Sequence, residues 1–268
     1  MVKVIPKIIN LFELFASGEE YSFSEIAQKS NLTRSNLSHL LHTLCEERIL
    51  EKVSYGHYRR GIRLTKLCMS TNPWEELLSK VSSCADNLML WMNELAVVGM
   101  RDRNMRLTLV KKRPQRINQE LDNFNKSYVA DWFSTANGRV LLAHAPNDVV
   151  LQVLRRWGVP ERKVWPEAAT LPKLEKELEV IRNQGFVKLQ VDEFFCAFGV
   201  PVRDASGEAV LSLATVSSNS TCTKSDEEIV HHMQSLASVL ENELKISNLQ
   251  VIDLKDTINH SIRFRDHL

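Results

Sequence analysis

Two helix-start signals and one hairpin signal lie within residues 22–60, SFSEIAQKSNLTRSNLSHLLHTLCEERILEKVSYGHYRR. Ser22 and Glu25 have the spacing of a capping box, in which each side chain bonds a free backbone N–H of the first helical turn. A short helix is predicted from there to about Ser30, followed by a tight turn. Thr33 is a second favoured N-cap, so another helix follows at once. This order predicts a helix-turn-helix.

The second helix of this stretch has one apolar face and one polar face. Its apolar residues recur at the i, i+3, i+4, i+7 spacing of a helix packed on one side, as Leu37, Leu40, Leu41 and Leu44. The opposite face carries Arg34, Ser35, Asn36, Ser38, His39 and His42. These short or flat side chains are suited to bonding base edges in a major groove, and Thr33 is placed to contact phosphate. Ser24 is also predicted to be a DNA-binding residue. The pattern predicts a recognition helix that binds double-stranded DNA.

The residues on either side complete a winged domain. Residues 49–53 and 58–60 are predicted as two strands joined by a turn at 54–57, so that Tyr55, His57 and Arg59 form a wing against the DNA backbone or minor groove. A helix at 4–16 closes the core with Ile5, Ile8, Ile9, Phe12 and Phe15.

The alternative for this region is a three-helix bundle that binds protein or has only a structural role. DNA binding is favoured, because the helix caps, the turn, the polar face and the wing all indicate the same DNA-binding domain.

The net charge adds little to this prediction, since residues 1–70 have a net charge of +3 and the remainder −2. We therefore expect a dimer that places two recognition helices in successive major grooves, about 34 Å apart. Two His on one helix, His39 and His42, do not by themselves indicate a metal.

Length and composition fit two ordinary globular domains. The chain has 268 residues, of which 44% are hydrophobic and 25% charged. Five cysteines without a Cys-x-x-Cys motif indicate reduced thiols and a cytoplasmic location. A signal peptide and a membrane-spanning run are both absent from the sequence pattern, so no membrane partner is expected.

The remainder of the chain mixes helices with strand hairpins. A linker is predicted at 64–73, then a long helix that starts at the Asn72 N-cap and carries Trp74 and Trp91 as core residues. Strands at 95–100, 105–111, 186–191, 195–202 and 209–216, a short strand near Tyr128, and helices at 134–144, 148–157, 172–184 and from 225 onward follow. This order indicates an α+β fold with an antiparallel sheet. The predicted domains are 1–63, the linker 64–73, a sheet domain at 74–246 and a tail at 247–268.

Several motifs in the correct order resemble the IclR family of bacterial transcription regulators. The segment 23–27 resembles the family's opening helix, 58–61 the end of its wing, and 134–144 its Thr-Ala-x-Gly-Lys-x-Leu-Leu-Ala motif. Residues 181–186 and 201–207 are similar to its Arg-x-x-Gly-Tyr and Pro-Val-x-Asp-x-x-Gly motifs. The resemblance implies a winged helix-turn-helix domain, a linker helix and a GAF-like domain that binds a small effector. It also implies dimers, or dimers of dimers, on an operator.

Departures from the family pattern concern the effector site. Ala214 and Val216 stand where many members have serines that hold an effector's carboxylate. The effector-binding residues that the resemblance implies are Ala136, Gly138, Asp192, Cys196 and Phe198. Nearby aromatic residues suggest a pocket for an aromatic or hydrophobic ligand, or none at all, and the alternative is that these aromatics are core: Trp132, Phe133, Phe194, Phe195 and Phe198.

Other function classes fit the sequence less well. An enzyme is disfavoured, because the sequence has no nucleophile elbow, phosphate-binding glycine loop or His-Glu-x-x-His motif, and no catalytic residue, metal or cofactor is predicted. A site assembled from distant residues would leave no such motif. The remaining alternatives are a DNA-binding protein without an effector and a protein-binding scaffold that uses the last helix and the tail.

Overall fold

The computed structural model describes residues 4–15, 20–30, 32–54, 56–68, 74–102, 104–114, 132–220 and 222–246. They form two compact units, one within residues 1–73 and one within 74–268. Each unit has a hydrophobic core of its own. The predicted N-cap Asn72, the strand near Tyr128 and the tail lie outside the described residues.

The N-terminal unit is a winged helix-turn-helix, as the sequence predicts. Its elements are α1 (Val4–Leu14), β1 (Tyr21–Ser22), α2 (Phe23–Lys29), α3 (Arg34–Glu46), β2 (Leu50–Ser54), β3 (His57–Arg60) and α4 (Ile62–Cys68). The capping box at the start of α2 is present: the Ser22 N–H donates to Glu25 Oε2 at 2.7 Å, and the Glu25 N–H donates to Ser22 Oγ at 3.3 Å. Thr33 caps α3 by accepting from the Asn36 N–H at 3.4 Å.

The core of this unit uses only part of the predicted face of α1: Phe15 is buried and Phe12 packs against the core, as predicted. Leu11 and Phe15 are buried, whereas Ile5 and Ile9 are 53% and 48% exposed. The prediction that Ile5 and Ile9 belong to the core was therefore wrong. Apolar residues lie on most sides of α1, so their spacing did not single out the face that meets α2 and α3.

The wing is part of a three-stranded sheet with the order β1-β3-β2. The two-residue strand β1, which the sequence pattern did not predict, pairs with β3 through Tyr21 and Tyr58. At the turn, Gly56 has a φ of +78°, a conformation that glycine adopts without strain, and its carbonyl accepts from the Phe23 N–H at 2.7 Å. The hairpin is thus tied to the start of α2.

The C-terminal unit is a mixed α and β domain. Its elements are α5 (Glu75–Met92), β4 (Ala96–Asp102), β5 (Met105–Lys112), α6 (Ala136–Ala143), α7 (Asn147–Trp157), α8 (Leu171–Gln184), β6 (Val187–Gln190), β7 (Phe195–Arg203), β8 (Ala209–Ser218) and α9 (Asp226–Ile246). A capping box at Ser225 and Glu228 starts α9, as predicted. The five strands form one antiparallel sheet with the order β5-β4-β8-β7-β6, which confirms the α+β class.

Helices cover the two faces of this sheet. The helices α5 and α9 pack on one face, which we call the α5/α9 face, and α6 with α8 lies on the other, the α6 face. Gly199 lies on the α6 face, where a Cβ would come within 3.0 Å of the Ala136 carbonyl oxygen. Only glycine allows α6 to approach the strand this closely.

Two details of the outer helices differ from the prediction. The apolar spacing of Ile229, Met233, Val239 and Leu240 predicts that Val239 is buried in α9, but Val239 is 57% exposed, and Ala237 is buried instead. The helix α5 begins at Glu75, with Trp74 at its N-cap position. Trp74 and Trp91 pack, partly buried, against the core of the α5/α9 face.

No helix among the described residues is long and apolar enough to cross a membrane. Within the same ranges, His, Cys, Asp and Glu side chains form no group of three or more that could hold a metal ion. Cys45, Cys84, Cys196 and Cys222 are free thiols.

Candidate nucleic-acid interface and ligand site

The polar face of α3 points to solvent. Leu37, Leu41 and Leu44 are buried against α1 and α2. The predicted base-reading residues are all exposed: Arg34, Ser35, Asn36, Ser38, His39 and His42. Thr33 at the N-cap and Ser24 in the first turn of α2 are exposed as well. A helix of this kind can enter a major groove with its N-terminal residues facing the bases.

Some of these side chains have contacts within the domain. The Thr33 hydroxyl is the cap of α3, and His42 Nδ1 lies 3.3 Å from the Glu46 carboxylate. In the part of the chain that the structure describes, no hydrogen bond or ion pair engages the side chains of Arg34, Asn36 and His39. These three side chains are therefore available to contact the edges of DNA bases.

The wing differs from the prediction in its charge. Arg59 was predicted to contact DNA, but its guanidinium is already paired: Nε donates to Glu51 Oε2 at 3.0 Å, and a second nitrogen lies 3.8 Å from Glu20. His57 Nδ1 lies 3.5 Å from Ser54 Oγ near the turn, and Tyr55 lies outside the described residues. The sequence did not reveal these pairs, because they depend on strand pairing: the hairpin register places Glu51 opposite Arg59, and Glu20 directly precedes β1, which pairs with β3.

The five effector-binding residues that the resemblance implied are not brought together. Ala136 and Gly138 lie in α6, on one side of the sheet. Cys196 and Phe198 point to the other side, where they are part of the core beneath α5 and α9. Because side chains alternate along a strand, the neighbour Ala197 lies on the α6 face instead. The assignment of Cys196 and Phe198 to the same site as α6 is corrected accordingly.

Asp192 and Gly138 already have local partners. Asp192 is exposed, and its Oδ1 accepts from the N–H groups of Phe194 at 2.8 Å and Phe195 at 2.9 Å, which stabilises the turn between β6 and β7. The Gly138 N–H donates to the Thr135 hydroxyl at 3.1 Å. The N–H of Gly138 is thus used to cap α6.

The α6 face carries small apolar side chains that the sequence pattern did not single out as a group. Ala214 pairs with Gly199, and Val216 pairs with Ala197, so these residues share one face of neighbouring strands. Ala197, Ala214 and Val216 are 9%, 7% and 8% exposed. The sequence feature that could have identified this group is the alternation of side chains along β7 and β8, which places every second residue on the same face.

Two buried polar residues meet where the first turn of α6 packs on the sheet: Asn137 in that turn and Ser212 in β8. Asn137 is 4% exposed and Ser212 is fully buried. Both are next to Gly99, where a Cβ would come within 2.9 Å of Ser212 Oγ and 3.3 Å of the Asn137 side chain. Within the described residues, neither Asn137 Oδ1 nor Ser212 Oγ has a hydrogen-bond partner. They offer unused hydrogen-bonding capacity beside the small apolar group.

The nearby aromatic residues do not form one pocket. Trp132 is fully buried in the core of the α6 face, Phe198 is buried on the α5/α9 face, and Phe194 is 56% exposed. The alternative interpretation, that these aromatics are core, therefore describes Trp132 and Phe198.

Burial lowers the pKa of His144, at the end of α6, to about 4, and the positive charges of Arg203 and Arg182 act in the same direction. The folded domain thus favours the neutral imidazole, and its stability is greatest above the ordinary His pKa of about 6.5 and declines as the pH falls toward 4. We expect the free energy of unfolding to drop by about 1–2 kcal/mol between pH 7 and pH 4.5, after discounting for solvent screening. His144→Gln, which does not titrate, should reduce this pH dependence in denaturant titrations. An unchanged dependence in that variant would show that other groups cause it.

Comparisons with known proteins agree with this architecture. Residues 4–54 match the family model of the IclR helix-turn-helix domain, and residues 75–242 match that of the bacterial transcriptional regulator IclR C-terminal domain. No curated protein matches the chain significantly.

Solved structures of IclR proteins share the fold. An IclR homolog of Microbacterium hydrocarbonoxydans, complexed with 4-hydroxybenzoate, matches with a TM-score of 0.65 at 20% identity, over 91% of this chain and 100% of that chain. The IclR of Thermotoga maritima matches with a TM-score of 0.57 at 20% identity, over 90% and 98%. An IclR regulator of Alicyclobacillus acidocaldarius matches with a TM-score of 0.57 at 17% identity, over 88% and 98%.

A winged helix-turn-helix followed by an antiparallel α+β domain is the architecture that the two IclR family models describe. Since the two family models together match most of the sequence, this chain belongs to the IclR family of bacterial transcription regulators. The family consists of regulators rather than enzymes.

Proposed function

We propose that this protein binds a double-stranded DNA operator through α3 and that a small molecule held by the C-terminal unit controls the binding. The observation that carries the proposal is the exposed face of α3, on which Arg34, Asn36 and His39 have unengaged side chains next to a capped N-terminus. Arg is suited to pairing with guanine and Asn with adenine in the major groove.

The operator is expected to be bound by a homodimer or a dimer of dimers. Residues 1–70 have a net charge of only +3, so one copy would neutralise few phosphates. Two copies of α3 in successive grooves, about 34 Å apart, would double the contacts. The free cysteines are compatible with the cytoplasm, where such an operator would be located.

The wing carboxylates provide a test of how the wing meets DNA. Glu51 and Glu20 are both paired with Arg59, so the guanidinium would meet a phosphate with a carboxylate already beside it. Glu51→Gln should therefore strengthen DNA binding about two- to five-fold at low salt, an amount typical of one surface charge, with less effect at high salt. Fluorescence anisotropy of a labelled duplex at two salt concentrations measures this.

Glu179→Gln is the matched control, since Glu179 is an exposed residue of α8 in the other unit. It should leave the affinity unchanged. A weaker affinity of Glu51→Gln would contradict this expectation. It would indicate that the ion pair between Glu51 and Arg59 is needed to keep the wing in its DNA-binding conformation.

The proposed effector site lies on the α6 face. Its walls are the small apolar group of Ala197, Ala214 and Val216, with the first turn of α6 at Ala136 and Gly138 beside it. Such a surface suits an aromatic ligand body, while the N-terminus of α6 favours an acid group. The structural neighbour from Microbacterium hydrocarbonoxydans, which is complexed with 4-hydroxybenzoate, supports an aromatic acid as the ligand class.

A thermal-shift screen against aromatic acids, small aliphatic acids and sugar acids tests this site. A ligand that binds only the folded state at a hundred times its Kd stabilises by about 2.7 kcal/mol, which is readily detected. Aromatic acids should raise Tm and change the affinity for DNA. Ala214→Leu should abolish the shift by filling the site, and Leu151→Ala, at an exposed position in α7, should retain it. A shift with small acids alone would contradict an apolar site.

A further inference from the structure

The exposed face of α3 has a central stripe of four polar residues at the i, i+4, i+7, i+11 spacing: Ser35, His39, His42 and Glu46. The buried side of the helix follows the same spacing through Leu37, Leu41 and Leu44. Because each residue advances about 100° around a helix, the stripe points away from the three leucines. It is therefore the part of α3 that faces the floor of a major groove when the helix enters one.

The side chain of His42 can reach the bases. His42 is eight positions after Arg34, the first residue of α3, which corresponds to about 12 Å along the helix axis. Between three and four base pairs span this distance, at about 3.4 Å each, so both residues can contact bases of one half-site. The His42 side chain is 71% exposed. Within the described residues, its Nε2 has no hydrogen-bond or ion-pair partner.

The carboxylate of Glu46 determines which nitrogen of His42 carries the proton. Glu46 Oε2 lies 3.3 Å from His42 Nδ1. A neutral imidazole has one ring proton, and a negative charge beside one nitrogen favours the proton on that nitrogen. In the neutral ring of His42 the proton is therefore on Nδ1, and Nε2 is left as a hydrogen-bond acceptor.

We propose that His42 reads one operator position as a hydrogen-bond acceptor and that Glu46 is the positioning residue that makes it one. An acceptor selects bases with an amino group in the major groove, which are adenine through N6 and cytosine through N4. It disfavours guanine and thymine, which present only acceptors there. This inference rests on the proposed function, since it specifies the bases that α3 contacts.

The test starts from the operator that the full chain selects from a randomised DNA library. Each half-site position is then changed to the other three bases, and fluorescence anisotropy at about pH 8, where an ordinary histidine is neutral, gives the affinity for each duplex. At one position, adenine and cytosine on one strand should be bound about three- to tenfold more tightly than guanine and thymine, which is the effect of one hydrogen bond. A library without an enriched operator would overturn the proposed function and this inference with it, whereas the variants test the inference alone.

Two variants identify the residues that cause the preference. His42→Phe retains a flat ring without ring nitrogens, so the preference at that position should disappear while the others remain. Glu46→Ala makes both tautomers of His42 accessible, so the preference should be lost or reversed toward guanine and thymine. Glu76→Ala is the matched control, because Glu76 is an exposed residue of α5 that pairs with Lys80 at the same i, i+4 spacing. It should leave every base preference unchanged.

Each role has its own contradicting result. Unchanged base preferences in His42→Phe would overturn the role of His42 in reading a base. Removing the negative charge of Glu46 is expected to raise the affinity for every duplex, so the ratio between bases is the deciding quantity. If Glu46→Ala raised the affinity for all four bases by the same factor, the carboxylate would act through its charge alone and its positioning role would be overturned.

Discussion

Replacing Arg34, Asn36 and His39 together by Ala should reduce binding to a selected DNA sequence by about 100- to 1,000-fold. Each good contact to a base edge contributes about 1–3 kcal/mol, and 1.4 kcal/mol corresponds to tenfold in affinity. Because all three side chains are exposed, their removal leaves the core of the N-terminal unit intact. Fluorescence anisotropy with the selected duplex and with a scrambled duplex measures the loss of specific binding.

The matched control replaces Arg162, Asn183 and His231, which are exposed residues of the same types in the C-terminal unit. This triple variant should bind as the natural protein does. If the α3 variant kept its specificity, the DNA-reading surface would have to lie elsewhere, and the alternative of a helix-turn-helix with a purely structural role would gain support.

Phe198→Ala should lower the free energy of unfolding by about 3–5 kcal/mol, the range for truncating a buried aromatic residue. Phe198 is 1% exposed and lies in the core between the sheet and the helices α5 and α9. Since domains of this size have a total stability of about 5–15 kcal/mol, such a loss is large. Denaturant titration followed by circular dichroism measures it.

Phe194→Ala is the matched comparison, because Phe194 is 56% exposed at the turn before β7. It should change the stability by no more than about 0.5 kcal/mol. The opposite pattern, a small loss of stability with a large loss of ligand binding in Phe198→Ala, would restore Phe198 to the effector site from which the structure removes it.

Local signals predicted the helices and turns of this protein well. The capping boxes at Ser22 and Ser225 are satisfied within a few residues of sequence, so they mark where α2 and α9 begin regardless of what packs on those helices. The hairpin between β7 and β8 likewise depends on Asp204 and Gly207, whose N–H donates to the Asp204 carbonyl oxygen at 3.0 Å. Such features are determined by adjacent residues.

The face on which a residue lies was less predictable. A shift of one position along a strand moves a side chain to the opposite side of the sheet, and the sequence between Gly185 and Pro201 did not determine the register. Cys196 was therefore assigned to a site that its neighbour Ala197 borders. Ile5 and Ile9 were misplaced for a related reason, since α1 has apolar residues on more than one side.

Ion pairs between strands were also not predictable from the sequence, as the wing shows. Arg59 was predicted to be a cation available to DNA because the sequence does not reveal which residues face it across the hairpin. The register of β2 and β3 brings Glu51 opposite Arg59, and the carboxylate offsets the positive charge of the guanidinium. Pairing across strands requires the folded geometry, whereas a helix cap does not.

Selection of bound duplexes from a randomised DNA library tests the central claim most directly, because every possible operator sequence competes for the protein in one experiment. We expect enrichment of a pseudo-palindrome whose half-sites are about 10–10.5 base pairs apart, or a multiple of that distance, as two copies of α3 require. The enrichment should disappear in the variant that lacks Arg34, Asn36 and His39. A library that shows no enriched sequence, or the same enriched sequence with that variant, would contradict the assignment of α3 as the DNA-reading helix.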